Sequence, residues 1–141
     1  MTVSDLQAKA KSYAVLHGLD GALVCAVVEQ ESNWAPWAIR YEPAFEKRYV
    51  EPLGLGPTET VARSISWGLM QLMGESAREM GFNGKLASLC DPDNGLDWGC
   101  RHLKTKLDAH SGDVTAGLLA WNGGANKEYA DQVLARMVNY Q

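Results

Sequence analysis

Residues 23 to 32 read Leu23-Val24-Cys25-Ala26-Val27-Val28-Glu29-Gln30-Glu31-Ser32, an apolar run that closes on two glutamates. At about 100° per residue, a helix places Glu31 between Val24 and Val27 on its apolar face. The same arithmetic turns Glu29 to roughly the opposite face, so we expect Glu29 to point to solvent and only Glu31 to be buried. A carboxyl group held among apolar side chains at the C-terminal end of a helix has a raised pKa. Such a group can act as a general acid near neutral pH.

Three further motifs follow the helix-end motif Glu31-Ser32-Asn33-Trp34-Ala35-Pro36. They are Ser66-Trp67-Gly68-Leu69-Met70-Gln71-Leu72, Ala120-Trp121-Asn122-Gly123-Gly124, and Tyr129 within a C-terminal helical pattern. Each fragment alone has little specificity. In this order, and spread from Leu23 to Val133, the four together resemble the SLT-type lytic transglycosylases, which are related to the goose-type lysozymes.

The resemblance implies a single lysozyme-like, mainly α domain that cleaves the β-1,4 bond between N-acetylmuramic acid and N-acetylglucosamine in peptidoglycan. Glu31 would be the one catalytic acid. The substrate's own N-acetyl oxygen would stabilise C1, and the muramic acid 6-hydroxyl would close a 1,6-anhydro ring. The resemblance also implies substrate-binding or orienting roles for Ser32, Met70, Gln71, Asn122 and Tyr129.

Two alternatives remain open. Glu42 and Glu46 lie in a segment longer than in the simplest family members, and either is a possible second carboxylate for true hydrolysis. The simpler expectation is that Glu42, which precedes Pro43, caps a short helix and that Glu46 is a solvated charge. An inactive glycan-binding or virion structural domain is the alternative from another class.

The tryptophans near the motifs have two interpretations, because aromatic rings suit both sugar faces and protein cores. Trp34 and Trp37 follow the Glu31 helix in a segment broken by Pro36, and they are candidates for the wall of a sugar-binding groove. Trp98 and Trp121 are expected to pack in the core. Gly68 opens a turn before a helical pattern, where the absence of a Cβ would let the backbone approach a ligand closely; a plain helix-start glycine is the alternative.

Length and composition are those of one globular domain over residues 1–141. The chain is 46% apolar and 21% charged, and its net charge is −4. This acidic balance disfavours nucleic-acid binding. The sequence contains no run of 18 apolar residues, so we expect no stable membrane insertion. The N-terminus lacks a secretion-signal pattern. We therefore expect synthesis in the cytoplasm followed by release to the cell wall, as for a phage endolysin with bacteriolytic, antimicrobial action.

The cysteines and histidines predict no metal site and no cofactor. Cys25, Cys90 and Cys100 cannot all pair within one chain. A Cys90–Cys100 disulfide is possible, but cytoplasmic synthesis favours free thiols. The only expected partner is a glycan strand of peptidoglycan, bound by a monomer.

Capping and breaker residues divide the chain into helices. The N-terminal half is predicted to contain a helix from Ser4 to His17, the Glu31 helix capped by Asp20, and an irregular segment 37–57 with one short strand or hairpin. Short helices are predicted at Glu59–Ser64 and Glu75–Met80. The C-terminal half is predicted to contain a long helix capped by Asp93, a helix from Asp113 to Trp121, and a last helix. The buried stripe of the long helix would be Leu96, Cys100, Leu103 and Leu107, and that of the last helix Tyr129, Val133, Met137 and Tyr140.

Overall fold

The computed structural model describes all residues from 1 to 141. It confirms a mainly α, lysozyme-like architecture with one small sheet. The helices are α1 (Val3–Leu16), α2 (Gly21–Ser32), α3 (Pro43–Phe45), α4 (Pro57–Arg63), α5 (Gly74–Glu79), α6 (Pro92–Ala109), α7 (Val114–Asn122) and α8 (Tyr129–Arg136). The strands are β1 (Ile39–Tyr41), β2 (Ile65–Trp67) and β3 (Leu72–Met73).

Helix α2 is the central element. Its first turn is capped by Asp20, whose side chain accepts a hydrogen bond from the Ala22 amide (2.8 Å), as predicted. Every residue from Ala22 to Val28 is buried, because α1, α8 and the C-terminal turn 137–140 pack around the helix. It ends where Asn33 and Trp34 take left-handed conformations, with φ of 49° and 66°. A helix that is apolar all round is an interior helix, so the carboxylates at its end meet other elements rather than open solvent.

Helices α6, α7 and α8 complete this core. The predicted stripe on α6 is buried, but the residue that caps α6 is Asp91, whose side chain accepts from the Asp93 amide. The predicted cap at Asp93 is therefore two residues too late. Pro92 occupies the first helical position, which its fixed φ and missing N–H suit. Asp113 caps α7 as predicted.

The sheet is antiparallel in the order β1-β2-β3. The predicted strand in 37–57 exists, but its partner is β2 and not a neighbour within the segment, so the segment is no hairpin. The remainder of the segment is more regular than predicted: α3 is followed by a π-helical turn at Glu46–Val50 and a 3₁₀ turn at Glu51–Leu53. The register places Arg40 opposite Ser66 and Ser66 opposite Met73, so these three side chains share one face of the sheet.

Gly68 connects β2 to the turn before β3 with a φ of 74°. A Cβ at this position would overlap the carbonyl oxygen of Leu89. The close approach predicted for Gly68 is thus to the protein's own backbone and not to a ligand. It packs the sheet against a second, smaller core built from Trp67, Leu72, Phe82 and Leu89 with their neighbours.

Cys25, Cys90 and Cys100 are buried free thiols. Burial raises the pKa of Cys25 to about 11 and that of Cys100 to about 12, so both act as small apolar side chains. None of the helices combines the length and the apolar character needed to cross a membrane.

Candidate active site

A cleft of about 560 Å³ separates the helical core from the small sheet. Helices α2, α6 and α7 form one wall with Glu31, His102, Trp121 and Asn122. The opposite wall is formed by one face of the sheet and the segment after β1, and it contributes Arg40, Glu42, Phe45, Ser66, Gln71, Leu72 and Met73. Ser76 of α5 and Ala125 complete the lining.

Glu31 lies in this cleft and receives two hydrogen bonds from the protein. The Tyr129 hydroxyl donates to Oε2 at 2.6 Å, and the Trp121 indole Nε1 donates to the same oxygen at 3.2 Å. Burial raises the pKa of Glu31, while the bonds from Tyr129 and Trp121 and the charge of Arg40 act in the opposite direction. Desolvation is the largest effect, so the pKa is raised on balance, in the direction the sequence predicts.

The two donors decide which oxygen of Glu31 carries the acid proton. Both bonds end on Oε2, so the proton of the neutral carboxyl belongs on Oε1. When Oε1 has given its proton away, the remaining carboxylate keeps two donors that stabilise its charge. The arrangement suits a group that first donates a proton and then accepts one.

Tyr129 is held as a permanent donor in this arrangement. It is 3% exposed, and burial together with the neighbouring Glu31 raises its pKa far above the ordinary tyrosine value. Its hydroxyl therefore keeps its proton, and stays a donor, well above the pH at which an ordinary tyrosine ionises.

Trp121 differs from its prediction. The sequence predicts core packing for this residue, whereas it lines the cleft and donates to Glu31. Indole N–H is a donor only, so it can orient the carboxylate oxygen but cannot exchange a proton with it.

His102 is a cleft residue that the sequence does not identify. It lines the cleft from α6, and its ring lies 5.4 Å from that of Trp121, centroid to centroid. Burial lowers its pKa to about 4, with a smaller effect from Lys106. A lone histidine next to the buried stripe of a helix carries no sequence signal that distinguishes it from packing.

Ser32 and Gln71 support the walls of the cleft. The Ser32 hydroxyl donates to the carbonyl oxygens of Val28 (3.1 Å) and Leu69 (2.8 Å), which ties the end of α2 to the turn after β2. Gln71 lines the cleft, but its amide nitrogen donates to the carbonyl oxygens of Ala38 and Gly68.

Met70 is completely buried and packs on Gly99 of α6, so the predicted contact of its side chain with sugar is wrong. Trp34 is also buried, and its indole donates to the Tyr140 hydroxyl at 3.0 Å. It is a core residue and not part of the groove wall. Trp37 is 78% exposed and lies outside the cleft lining.

Asn122 lies in the cleft wall beside Trp121. Its side-chain nitrogen donates to the Asn126 carbonyl at 3.4 Å. Asn122 therefore does not orient Glu31 directly, while a role towards substrate stays a prediction.

The two candidate second carboxylates differ in position. Glu42 lines the cleft and forms an ion pair with Arg40 (2.9 Å), and its side chain makes no capping hydrogen bond to α3. Glu46 accepts from the Tyr41 hydroxyl at 2.9 Å and is not part of the lining. Of the two, only Glu42 shares the cleft with Glu31.

Glu29 is not the solvent-facing residue the helical wheel predicts. It forms an ion pair with Arg136 and accepts a hydrogen bond from the Tyr140 hydroxyl at 2.6 Å. Its side chain is 17% exposed, and these bonds lower its pKa. The prediction fails because the C-terminal part of the chain covers that face of α2.

No group of three or more histidine, cysteine, aspartate or glutamate side chains is placed to hold a metal ion. What the cleft offers is one partly buried, desolvated acid with two fixed donors, and aromatic and hydroxyl side chains around it. These are the components of a lysozyme-like glycan-binding site.

Comparison with known proteins agrees with this class. Residues 8–136 match the transglycosylase SLT domain family. The chain is 24% identical over 140 residues to a membrane-bound lytic murein transglycosylase C of Photorhabdus laumondii, covering 88% of this chain and 35% of that protein. It is 30% identical over 111 residues to a transglycosylase of Enterobacteria phage PRD1, covering 79% of this chain and 32% of that protein. No solved structure gives a significant match.

The chain belongs to the transglycosylase SLT domain family, because the match covers nearly its whole length. It spans about a third of the length of the curated relatives it matches.

Proposed function

We propose that the protein is a peptidoglycan lytic transglycosylase that cleaves the β-1,4 bond between N-acetylmuramic acid and N-acetylglucosamine. The observation that carries the proposal is the environment of Glu31: a partly buried carboxyl in a cleft, with its pKa raised by desolvation and both protein donors on Oε2. The names of the two curated relatives and the family match support the same reaction class.

The proposed reaction needs no water. Oε1 of neutral Glu31 donates its proton to the glycosidic oxygen as the bond from that oxygen to C1 of the muramic acid breaks. The acetamido oxygen of the same sugar stabilises the positive charge at C1. The Glu31 carboxylate, now held by Tyr129 and Trp121, then takes the proton of the 6-hydroxyl as O6 bonds to C1. The products are a free 4-hydroxyl and a 1,6-anhydromuramoyl end, and Glu31 is protonated again.

A role in bacterial cell lysis is the finer part of the proposal. The relative from phage PRD1 supports a phage or prophage origin. Delivery to the cell wall from the cytoplasm, as for an endolysin, stays a prediction, as does action as a monomer.

Hydrolysis is the second candidate, favoured by one observation: Glu42 lines the same cleft as Glu31. A carboxylate across the cleft can position a water for attack on C1. Its ion pair with Arg40 works against this role, because the guanidinium occupies part of the carboxylate's bonding capacity.

The test is Glu31→Gln, assayed by the clearing of purified cell walls. Glutamine keeps the shape and can still accept from Tyr129 and Trp121 through its Oε1, but it has no acidic proton. We expect activity to fall by at least about a thousandfold while the fold is retained. Glu128→Gln is the matched control, since Glu128 is exposed and lies next to Tyr129 in sequence. A wild-type protein that binds walls without cleaving them would favour the glycan-binding alternative, and an active Glu31→Gln variant would overturn the assignment of the acid.

A further inference from the structure

His102 is a cleft residue that the proposed reaction does not use. It projects from α6 into the wall that also holds Glu31 and Trp121, and it is partly buried there. No acid, base or orienting step of that reaction requires an imidazole at this position.

The ring nitrogens of His102 have no partner within the protein. The side chain makes no hydrogen bond to another residue, and the protein has no side-chain nitrogen or oxygen that is both fully buried and unpaired. The nitrogens of His102 are therefore accessible, and the cleft is the space that this side chain lines. An accessible polar group in a cleft wall without a protein partner can hydrogen-bond a ligand, because no bond within the protein has to break first.

The imidazole is uncharged at neutral pH. Burial and the nearby Lys106 lower its pKa to about 4, so one nitrogen donates and the other accepts. A ring with one donor and one acceptor nitrogen complements hydroxyl and acetamido groups, because each of these groups can both donate and accept a hydrogen bond. A carboxylate, which only accepts, would find a single donor and no positive charge.

The neighbours of the ring place it near the proposed acid. The His102 ring lies against that of Trp121, tilted by 51° with centroids 5.4 Å apart, and Trp121 donates to Glu31. His102 and Glu31 line the same cleft. A glycan group bound to His102 would therefore lie in the part of the cleft where Glu31 acts.

We propose that His102 is a substrate-binding residue, which hydrogen-bonds an uncharged hydroxyl or acetamido group of the glycan beside the scissile bond. The inference rests on the proposed function, since it takes the bound chain to be the glycan of peptidoglycan. It adds a sugar-recognition contact from α6 to the cleft that contains Glu31.

The experiment separates binding from chemistry. In a Glu31→Gln background, which binds without cleaving, the dissociation constant of a soluble tetrasaccharide of alternating N-acetylglucosamine and N-acetylmuramic acid is measured by calorimetry. His102→Phe keeps an aromatic ring against Trp121 and removes both nitrogens. We expect it to weaken binding about tenfold, the effect of losing a hydrogen bond or two. His110→Phe, at the exposed end of the same helix, is the matched control and should leave binding unchanged.

A second pair of variants keeps the proposal falsifiable if the phenylalanine side chain disturbs the fold. His102→Gln and His102→Met have similar shapes, and only glutamine can donate and accept. We expect His102→Gln to bind the tetrasaccharide more tightly than His102→Met. Equal binding by the two, or unchanged binding by a folded His102→Phe, would overturn the proposal and leave His102 as a packing partner of Trp121.

The enzyme with Glu31 intact gives an independent readout. For His102→Phe we expect KM for soluble glycan to rise about tenfold and kcat to change less, because the contact serves binding before it serves the transition state. If wild-type enzyme fails to cleave peptidoglycan, the proposed function fails. The binding comparison in the Glu31→Gln background still decides the role of His102.

Discussion

Glu29 and Glu31 are two positions apart in the sequence, and their pKa values shift in opposite directions. Glu31 is desolvated in the cleft, which raises its pKa. Glu29 is bound by Arg136 and Tyr140, which lower its pKa in spite of partial burial. The helical wheel predicts the first environment because Glu31 continues the apolar face of α2, on which other elements pack. It misses the second because the partners of Glu29 come from residues more than a hundred positions later.

The two shifts predict opposite effects of amide substitution on stability. Since the folded pKa of Glu31 is raised, the folded state binds more protons than the unfolded state between the ordinary glutamate pKa and the raised one. Its stability falls as the pH rises through that window. Glu31→Gln removes this penalty, so we expect a higher free energy of unfolding than wild type at pH 7 and no difference near pH 4. Urea unfolding at both pH values measures it.

Glu29→Gln should behave in the reverse way. The folded pKa of Glu29 is depressed, so its contribution is fully present above the ordinary glutamate pKa and is lost as the pH falls through the folded value. We expect a loss of about 1 kcal/mol at pH 7, limited by the exposure of Arg136, that disappears in acid. Cell-wall cleavage should persist, because Glu29 lies outside the cleft. A Glu31→Gln variant less stable than wild type at pH 7 would contradict a raised pKa of Glu31 in the folded state.

Tyr129→Phe tests the donor that holds Glu31. The Tyr129 hydrogen bond favours charged Glu31, so its removal raises the pKa of Glu31 further. We expect kcat to fall about ten- to a hundredfold, because the carboxylate formed after proton donation loses its shorter hydrogen bond. The alkaline limb of the pH profile should move to higher pH. Tyr13→Phe on α1 also removes a hydroxyl bonded to a carboxylate, that of Asp93, and it should leave the profile in place.

At the scale of elements, the sequence predicts helices better than the sheet. Caps and apolar stripes identify α1, α2, α6 and α7, because those signals lie within the helix itself. The strand in 37–57 is also recognisable, but its pairing with β2 brings together residues about 25 positions apart. That pairing decides which side chains face the cleft: Arg40, Ser66 and Met73 do so as a consequence of register.

Gly68 shows how one residue fixes that sheet against the second core. Alanine there must adopt a positive φ, which costs about 1–2 kcal/mol, and its Cβ must also displace the Leu89 carbonyl. Gly54 has a similar φ of 68°, and a Cβ at that position would meet nothing within 4 Å, so it isolates the first cost. We expect Gly68→Ala to lower the free energy of unfolding by about 2 kcal/mol more than Gly54→Ala does, measured by urea denaturation. Equal losses would mean that the sheet shifts freely at this point.

At the scale of the whole molecule, four short motifs identify the family but only part of the site. Glu31 and Tyr129 come into contact, in agreement with the orienting role that the family resemblance implies for Tyr129. Met70 and Ser32 belong to the same motifs, yet they support the backbone around the cleft. Trp121 and His102 acquire their positions from the packing of α6 and α7 against α2. A helical pattern gives the buried face of each helix but not the angle at which two helices meet, so their contact with the cleft could not be predicted.

The charge of the whole molecule bears on how it meets its proposed substrate. With a net charge of −4, the protein has no general attraction for an anionic cell wall. Recognition then depends on the cleft, where Arg40 is the one cationic side chain in the lining and is paired with Glu42. The state of this pair decides whether Glu42 is available to a water.

The chemical form of the muramic acid end left after cleavage depends on both carboxylates of the cleft, Glu31 and Glu42. Glu31 is held for two proton transfers, and Glu42 is held by Arg40, so attack by the 6-hydroxyl is favoured over attack by water. We expect digests of purified peptidoglycan to contain 1,6-anhydromuramoyl ends, which are lighter by one water than reducing ends and are resolved by mass spectrometry. Glu42→Gln and the control Glu46→Gln, which lies outside the cleft lining, should give the same anhydro product. Reducing ends in the wild-type digest that disappear only in Glu42→Gln would instead make Glu42 the base of a hydrolase, with Glu31 still its acid.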